Sequence, residues 1–244
     1  NSFWTLFSDE YQIPVGTRSI QMILMGTRYA GDDNDSYFDD LFLRIWQNPD
    51  CMSLLGDLNE DGIEDLVFAI QSPVKEKLAN NDGTENDTLH VSPRILGIYF
   101  GKRNGKFKKV LQSNEFIINR NTPTMEEPFK GLQILPNGEL QIDFYIWPCR
   151  ECTTWSSHAY IFKFQNSAFE LVEYKESTIN RVSGDEMDYS IDFLNKTLKT
   201  VTETRNEDDM PEYEETLQKF ELDNLRTIQS LGKPFTWEFQ QLRI

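Results

Sequence analysis

The sequence predicts a mainly β fold, an antiparallel meander of hairpins that forms a rolled sheet or a sandwich and contains little helix. Two observations predict it. Strand-like runs flank short turn sequences at four places, and a single acidic, glycine-containing loop separates two further strand-like runs. With 244 residues, the chain is long enough for one domain with a substantial core.

The N-terminal part, residues 1–50, gives the least regular pattern, and neither strand nor short helix is favoured over most of it. The acidic residues at 32–35 and 39–40 lack a glycine turn and an orderly alternation of ligands. We therefore expect a solvated loop there rather than a second cation site. Residues 37–46 fit a short amphipathic helix or a strand.

A stretch with the composition of a calcium loop follows at residues 56–68. Its potential oxygen ligands stand at loop positions 1, 3, 5, 7 and 9. They are Asp57, Asn59, Asp61, Ile63 through its backbone carbonyl, and Asp65. Gly62 stands where the chain must turn sharply. Phe68 occupies the position at which an EF-hand carries a bidentate glutamate, and it lies in an apolar run. The pattern therefore predicts an EF-hand-like ligand set for Ca²⁺ that leads into a β-strand.

This loop, Gly-Asp-Leu-Asn-Glu-Asp-Gly-Ile-Glu-Asp-Leu-Val, resembles the calcium loop of FG-GAP (VCBS-type, integrin-α-like) repeats over residues 51–71. In that family the loop joins two antiparallel strands and binds calcium, so the resemblance implies ligand roles for the five residues above. FG-GAP propellers repeat the motif in several blades, whereas here it occurs once. The rest of the chain is similar to small secreted bacterial proteins of largely unassigned function. The alternative is an acidic, solvated turn.

Four further pairs of strand-like runs each flank a short turn. The turn dipeptides are Asn104-Gly105, Asn137-Gly138, Asn166-Ser167 and Asn195-Lys196. The flanking runs are 94–101 and 106–111, 132–135 and 140–147, 160–164 and 169–174, and 189–194 and 197–202. Asn-Gly between alternating runs is the strongest short-range hairpin signal, because a type I′ turn needs positive φ at both central residues. We predict one continuous meander, with too few strands for a propeller.

The remaining segments give simpler predictions. Residues 51–55 and 66–71 read as the strands that enter and leave the acidic loop, the second of them central in its sheet. Residues 73–88 and 203–215 read as exposed loops, the latter because it is acidic and contains a proline. The segment 217–231 fits one more strand or a short helix. Finally, Phe235, Trp237 and Phe239 alternate with polar residues, which predicts a closing edge strand.

These segments predict one β-rich domain over residues 1–244. Residues 1–50 form an N-terminal part of uncertain structure, 51–202 hold the calcium loop and the hairpin meander, and 203–244 hold an acidic loop and a closing segment.

Three cysteines leave several alternatives open. Cys149 and Cys152 have the spacing of a redox pair, but the flanking runs are strand-like and not the strand-to-helix context of a thioredoxin centre. A local disulfide or free packing thiols fit better. A zinc site that adds His158 and Cys51 is also conceivable, although its spacing matches no common structural set.

The composition of the chain argues against some classes of binding partner. The net charge of −16 argues against nucleic acid or an anionic membrane surface as a partner. No apolar run approaches the ~20 residues that span a bilayer. Because the chain starts at Asn1 and not at methionine, we expect a removed leader or lipid-anchor segment. These features predict an extracytoplasmic protein that is secreted, periplasmic or anchored at the cell surface.

No recognised catalytic motif is present, and two histidines supply little general-base chemistry. Trp147 and Trp155 bracket the cysteine pair; exposed aromatics can stack on sugars, and buried ones belong to a core. The resemblance to FG-GAP modules, which commonly serve adhesion and ligand binding, implies a non-enzymatic domain with structural calcium that binds a protein or glycan at the cell surface. The alternative is an enzyme or enzyme inhibitor that acts on cell-wall or polysaccharide substrates through an acidic or aromatic cleft. A deep cleft with two close carboxylates would favour the enzyme.

Overall fold

Antiparallel strands make up most of the computed structural model, which describes residues 51–72, 76–78, 89–122, 124–149, 151–206 and 210–244. All of these residues belong to one compact unit, Gln47–Ile244. The predictions for residues 1–50, including the acidic clusters and the segment 37–46, lie outside the described residues. The prediction of a mainly β, antiparallel fold with little helix is confirmed.

The first sheet has four strands in the order β1-β2-β5-β6. Their bounds are β1 (Cys51–Gly56), β2 (Asp65–Gln71), β5 (Arg94–Gly101) and β6 (Phe107–Ser113). Neighbouring strands pair antiparallel. The acidic loop therefore joins two paired strands, and β2 is an inner strand of its sheet, as the sequence predicts.

The second sheet has seven strands that follow one another in chain order. Their bounds are β7 (Phe129–Ile134), β8 (Leu140–Ile146), β9 (Thr154–Gln165), β10 (Ala168–Asn180), β11 (Glu186–Asp192), β12 (Thr197–Arg205) and β13 (Pro211–Lys219). All six neighbouring pairs are antiparallel. This sheet contains three of the four predicted hairpins, those at Asn137-Gly138, Asn166-Ser167 and Asn195-Lys196, in one continuous meander.

Short elements complete the described part of the chain. They are β3 (Glu76–Leu78) with β4 (Leu89–Val91), the helix α1 (Ile228–Leu231), and β14 (Glu238–Phe239) with β15 (Leu242–Arg243). Thr227 caps α1, because its hydroxyl accepts a hydrogen bond from the backbone N–H of Ser230. No helix within the described ranges has the length and apolar character that crossing a bilayer requires.

Four predictions about segments need correction. The β5–β6 hairpin lies in the four-stranded sheet, so the four hairpins do not form one continuous meander. The predicted loop 203–215 is wrong, because β12 extends through Arg205 and β13 starts at Pro211, whose missing N–H is tolerated at the start of an edge strand. The predicted loop 73–88 contains β3. The closing strand covers only Glu238–Phe239, and Phe235 precedes it with a φ of 64°.

The two sheets share one hydrophobic core. Val67, Leu96 and Ile98 of the first sheet are fully buried, as are Ile142 and Tyr160 of the second. The core also takes in α1 and the last residues of the chain. Direct contacts join the sheets, including the rings of Phe100 and Phe164, whose centroids lie 4.7 Å apart edge to face. Such burial supplies most of the folding free energy of a domain of this kind.

The turns use different geometries from one hairpin to the next. Asn166 and Ser167 both have positive φ, 52° and 63°, as a type I′ turn requires. At the two Asn-Gly sequences only the glycine is left-handed, with φ of 72° at Gly105 and 78° at Gly138. These two turns therefore carry glycine for a single positive-φ position and are not type I′. At Asn195-Lys196 only Lys196 has positive φ, 55°, so all four hairpins form but three of them use a turn other than type I′.

Candidate functional site

The acidic loop between β1 and β2 folds around its own polar side chains. Asp57 accepts hydrogen bonds from the backbone N–H of Asp61 at 3.1 Å and of Gly62 at 2.8 Å. Asn59 Oδ1 accepts one from Asp61 N–H at 3.0 Å, and Asp61 Oδ1 accepts one from Ile63 N–H at 2.9 Å. Gly62 has a φ of 79°, which a residue without Cβ adopts without strain. The first three predicted ligands thus lie in one tight turn.

Asp65 is the buried end of this loop, with no exposed surface. Its Oδ2 accepts a hydrogen bond from the N–H of Leu58 and its Oδ1 one from the N–H of Gly101, both at 2.9 Å. Burial raises the pKa of this carboxyl, these two hydrogen bonds lower it, and the negative charges of Asp61 and Asp57 raise it further. Two further acidic groups therefore act on Asp65 through space.

The loop is fixed to both sheets. Leu58 is 2% exposed and belongs to the common core. A Cβ on Gly138, in the β7–β8 turn, would lie 2.9 Å from the carbonyl oxygen of Asp57. Glu60, which points outward, pairs with Lys163 of β9 at 3.5 Å. The loop conformation is therefore set by tertiary contacts as well as by its own sequence.

The donor set of the loop fits calcium in type and order. Calcium prefers six to eight oxygens, and the loop offers carboxylates, an amide and the carbonyl of Ile63. Each carboxylate oxygen has about two acceptor sites, so the hydrogen bonds of Asp57 and Asp65 leave lone pairs for an ion. Among the described residues, no three or more histidine, cysteine, aspartate or glutamate side chains come together as a metal-binding group. Asp57, Asp61 and Asp65, three of the five predicted ligands, are therefore not drawn together into such a group in this structure.

The cysteine pair forms a disulfide, which is the first of the alternatives that the sequence leaves open. Cys149 and Cys152 are bonded to each other, so their thiols are not available to a zinc ion. The indoles of Trp147 and Trp155 lie beside this link with their centroids 5.9 Å apart, and Trp147 Nε1 donates to the carbonyl of Cys152 at 3.3 Å. Both indoles are half-buried, so this cluster rigidifies the β8–β9 connection.

The outer face of the seven-stranded sheet carries a concavity of about 820 Å³, here called the outer trough. Two cross-strand rows line it, because directly paired residues point to the same face. The rows are Tyr145, Ser157, Ser177 and Asp188, and Asp143, Ala159, Lys175, Ser190 and Lys199. Serine and alanine form the floor, and charged residues of both signs surround it. Lys130 Nζ lies 5.0 Å from the centre of the Tyr145 ring.

The opposite face of the same sheet holds a hydrogen-bonded chain of side chains, here called the polar relay (Ser156, His158, Tyr174 and Glu176). His158 Nε2 lies 2.7 Å from Ser156 Oγ, and its Nδ1 lies 2.8 Å from Tyr174 Oη. Tyr174 donates to Glu176 Oε2 at 2.9 Å. Since Tyr174 donates its proton to Glu176, it accepts from Nδ1–H of His158, and Nε2 accepts from Ser156.

Burial governs the protonation of the polar relay. It lowers the pKa of His158 to about 4 and raises that of Glu176. The histidine is therefore neutral at neutral pH. Sequence reasoning missed this group, apart from His158 as a possible zinc ligand. The available signal was alternation: Ser156, His158 and Tyr160 share one face of β9, and Tyr160 is a core residue.

Comparison with known proteins does not extend this description. No family model, no curated protein and no solved structure matches the chain. The fold and the sites define a two-sheet antiparallel β protein with one acidic loop. The resemblance to FG-GAP calcium loops stays a prediction from the residues of the loop.

Proposed function

We propose that the chain is a non-enzymatic, calcium-binding β domain that works outside the cytoplasm and binds a protein or a glycan. The observation that carries the proposal is the loop of Asp57, Asn59, Asp61, Ile63 and Asp65. In it, oxygens follow one another in calcium-loop order and a buried carboxylate anchors the end.

Calcium would have a structural role in this domain. The negative charges of Asp57 and Asp61 act on the buried carboxyl of Asp65, and the three carboxylates repel one another. A divalent cation supplies the positive charge that offsets this repulsion. Two contacts of the protein hold the loop in place: Leu58 packs in the core, and Asp65 accepts a hydrogen bond from the backbone N–H of Gly101. A calcium ion there would be held by oxygens of a loop that is anchored in the core, which supports a structural role over a catalytic one.

The disulfide supports the proposed compartment. Disulfides persist in oxidising surroundings such as the periplasm and the cell exterior, and they are rare in the reducing cytosol. The Cys149–Cys152 link and the net charge of −16 both fit a protein that works among extracellular divalent cations.

The outer trough supports ligand binding. Its floor of small hydroxyl side chains admits close approach, and Asp143, Lys175 and Asp188 supply acceptors and donors for sugar hydroxyls or a peptide backbone. Tyr145 gives the trough one aromatic wall, a feature that suits stacking on a sugar ring. The enzyme alternative stays a prediction, and burial of Asp143, which raises its pKa, is the observation that favours it.

Melting temperatures measured with and without calcium test whether the loop binds this ion. Wild type should melt at a higher temperature in millimolar calcium, because a ligand of the folded state stabilises it by mass action. Asp61→Ala should lose this dependence. Glu64→Gln removes one charge from the same loop at a non-ligand position and should keep it. A wild type whose melting ignores calcium would refute the proposal.

Binding to an array of immobilised oligosaccharides and peptides tests whether the outer trough binds a glycan or a peptide. Tyr145→Ala should weaken any binding that wild type shows, whereas Tyr213→Ala removes an exposed tyrosine of β13 outside the trough and should not. Turnover of a polysaccharide by wild type, lost in Asp143→Asn, would instead establish the enzyme alternative.

A further inference from the structure

A second concavity, here called the inner cavity, lies on the face of the seven-stranded sheet opposite to the outer trough. Its volume is about 960 Å³. Four parts of the chain line it: Val91 and Pro93 at and after β4, residues of the segment 114–121 with Met125, residues of β8 to β10, and residues of 233–236 and 241–243. This volume lies at the upper end of the range of small-molecule sites. The calcium loop contributes nothing to its lining.

The walls of the inner cavity mix polar residues with a set of apolar ones. The apolar side chains come from distant parts of the sequence, so the fold and not a local motif creates the surface. They are Val91, Ile117, Ile118, Met125, Ile146, Phe235 and Leu242. Binding sites for small molecules combine such apolar walls with a few convergent polar groups.

The polar groups that line the inner cavity lie at two depths, one set inside the fold and one set at the surface. Ser156, His158 and Glu176 of the polar relay line the inner cavity deep in the fold, and they are already hydrogen-bonded to one another or to Tyr174. Arg120 and Lys233 lie at the mouth and are exposed. Within the described part of the chain, neither makes an ion pair, so both are free to meet an anion.

The charge of the mouth differs from that of the whole protein. Arg120, Lys233 and Arg243 line the inner cavity together with two acids, the exposed Glu115 and the half-buried Glu176. Arg243 pairs with Glu238 at 3.3 Å and is largely neutralised. Arg120 and Lys233 supply two cations without an ion-pair partner among the described residues, on a chain of net charge −16, and this favours a small anion at this position.

The backbone beside the inner cavity is held in unusual conformations. Phe235 and Gln241 line the cavity with φ of 64° and 70°, in the left-handed region that residues other than glycine rarely adopt. Such conformations cluster at ligand-binding sites. Here they place the ring of Phe235 between His158 and Tyr160, at centroid distances of 4.7 and 5.9 Å.

We propose that the inner cavity binds a small amphipathic anion, whose apolar body lies against Ile117, Ile146 and Phe235 and whose charged head meets Arg120 and Lys233. The site shares no residue with the calcium loop, whereas His158 and Glu176 line both this cavity and the outer trough. A medium-chain carboxylate has this chemistry, and an aromatic sulfonate shares it.

Fluorescence of 8-anilinonaphthalene-1-sulfonate tests the proposal, with calcium present throughout. Wild type should bind the dye saturably at one site, and dodecanoate should displace it. Uncharged 1-dodecanol and cationic dodecyltrimethylammonium should each compete about tenfold less well, because a charge-assisted hydrogen bond at the mouth contributes about that factor.

The variant Arg120→Ala/Lys233→Ala should bind dye and dodecanoate about tenfold or more weakly. Arg181→Ala removes an exposed arginine remote from the inner cavity and should bind as wild type does. Near-ultraviolet circular dichroism and unchanged melting without ligand would show that the variants fold. Absence of saturable binding, equal displacement by the cation, or unchanged affinity in the folded double variant would overturn the proposal.

Discussion

The carboxylate of Asp65 accepts a hydrogen bond from the backbone N–H of Gly101 at 2.9 Å, across 36 residues of sequence. Asp65 begins β2 and Gly101 ends β5, so this bond closes the first sheet at the edge where the acidic loop enters. The second oxygen holds Leu58 N–H of the loop itself. One buried side chain therefore fixes both the loop and the adjoining strand.

Asp65→Asn should destabilise the protein by about 2 to 3 kcal/mol. An amide has only one oxygen, so its NH₂ group would face a backbone N–H where the carboxylate now accepts a hydrogen bond. Urea unfolding in calcium-free buffer measures the loss without the metal. Glu64→Gln, an exposed neighbour, should change the free energy of unfolding by less than about 0.5 kcal/mol. An Asp65→Asn variant as stable as wild type would show that the hydrogen bonds from the N–H groups of Leu58 and Gly101 contribute little to the free energy of unfolding.

Gly101→Ala should cost about 3 kcal/mol, because a Cβ at this position would collide with the carbonyl oxygen of Glu64 in the neighbouring loop. Gly131→Ala in β7 is the matched control, since its Cβ would meet Met52 only at 3.7 Å, an ordinary contact. Thermal unfolding compares the two. Equal melting temperatures for the two variants would contradict the close approach of loop and strand.

Stability should fall as the pH drops from about 6.5 to about 4, in part because of His158. Burial lowers the pKa of this side chain to about 4 from 6.5, so in this window the unfolded chain binds more protons at this site than the folded chain. The loss from His158 approaches the order of 3 kcal/mol below pH 4. Burial raises the pKa of Glu176, and that shift acts in the opposite sense, since the folded state then favours the protonated carboxyl.

Urea unfolding at about pH 7 and about pH 4.5 checks the contribution of His158. His158→Gln removes the titrating group, so the variant should lose less stability between the two pH values than wild type loses. The same loss in both proteins would show that His158 does not carry the effect.

The hairpins could be predicted from the sequence because their signals are local. Alternation and a two-residue turn suffice to place β9 and β10 around Asn166-Ser167. The acidic loop pattern and its flanking apolar runs place β1 and β2. Which sheet a hairpin joins depends on contacts with residues distant in the sequence. The β5–β6 hairpin joins the first sheet because β5 pairs with β2, and nothing in residues 94–111 alone encodes that pairing.

Strand β13 and the inner cavity could not be predicted for a different reason. Every residue of Pro211–Lys219 is exposed, so the strand has no apolar alternation, and its acidic residues read as a loop. In the polar relay, His158 and Glu176 lie on the core face of their strands, where an alternation pattern predicts apolar residues. Polar side chains that satisfy one another inside a fold are visible only after the strands are paired.

Isothermal titration calorimetry of calcium into the metal-free protein tests the central claim most directly. The account predicts one site in wild type, the same site in Glu64→Gln, and no measurable site in Asp61→Ala, with all three proteins folded by circular dichroism. No heat of binding in the folded wild type, or an unchanged site in Asp61→Ala, would contradict the assignment of calcium to the loop of Asp57, Asn59, Asp61, Ile63 and Asp65.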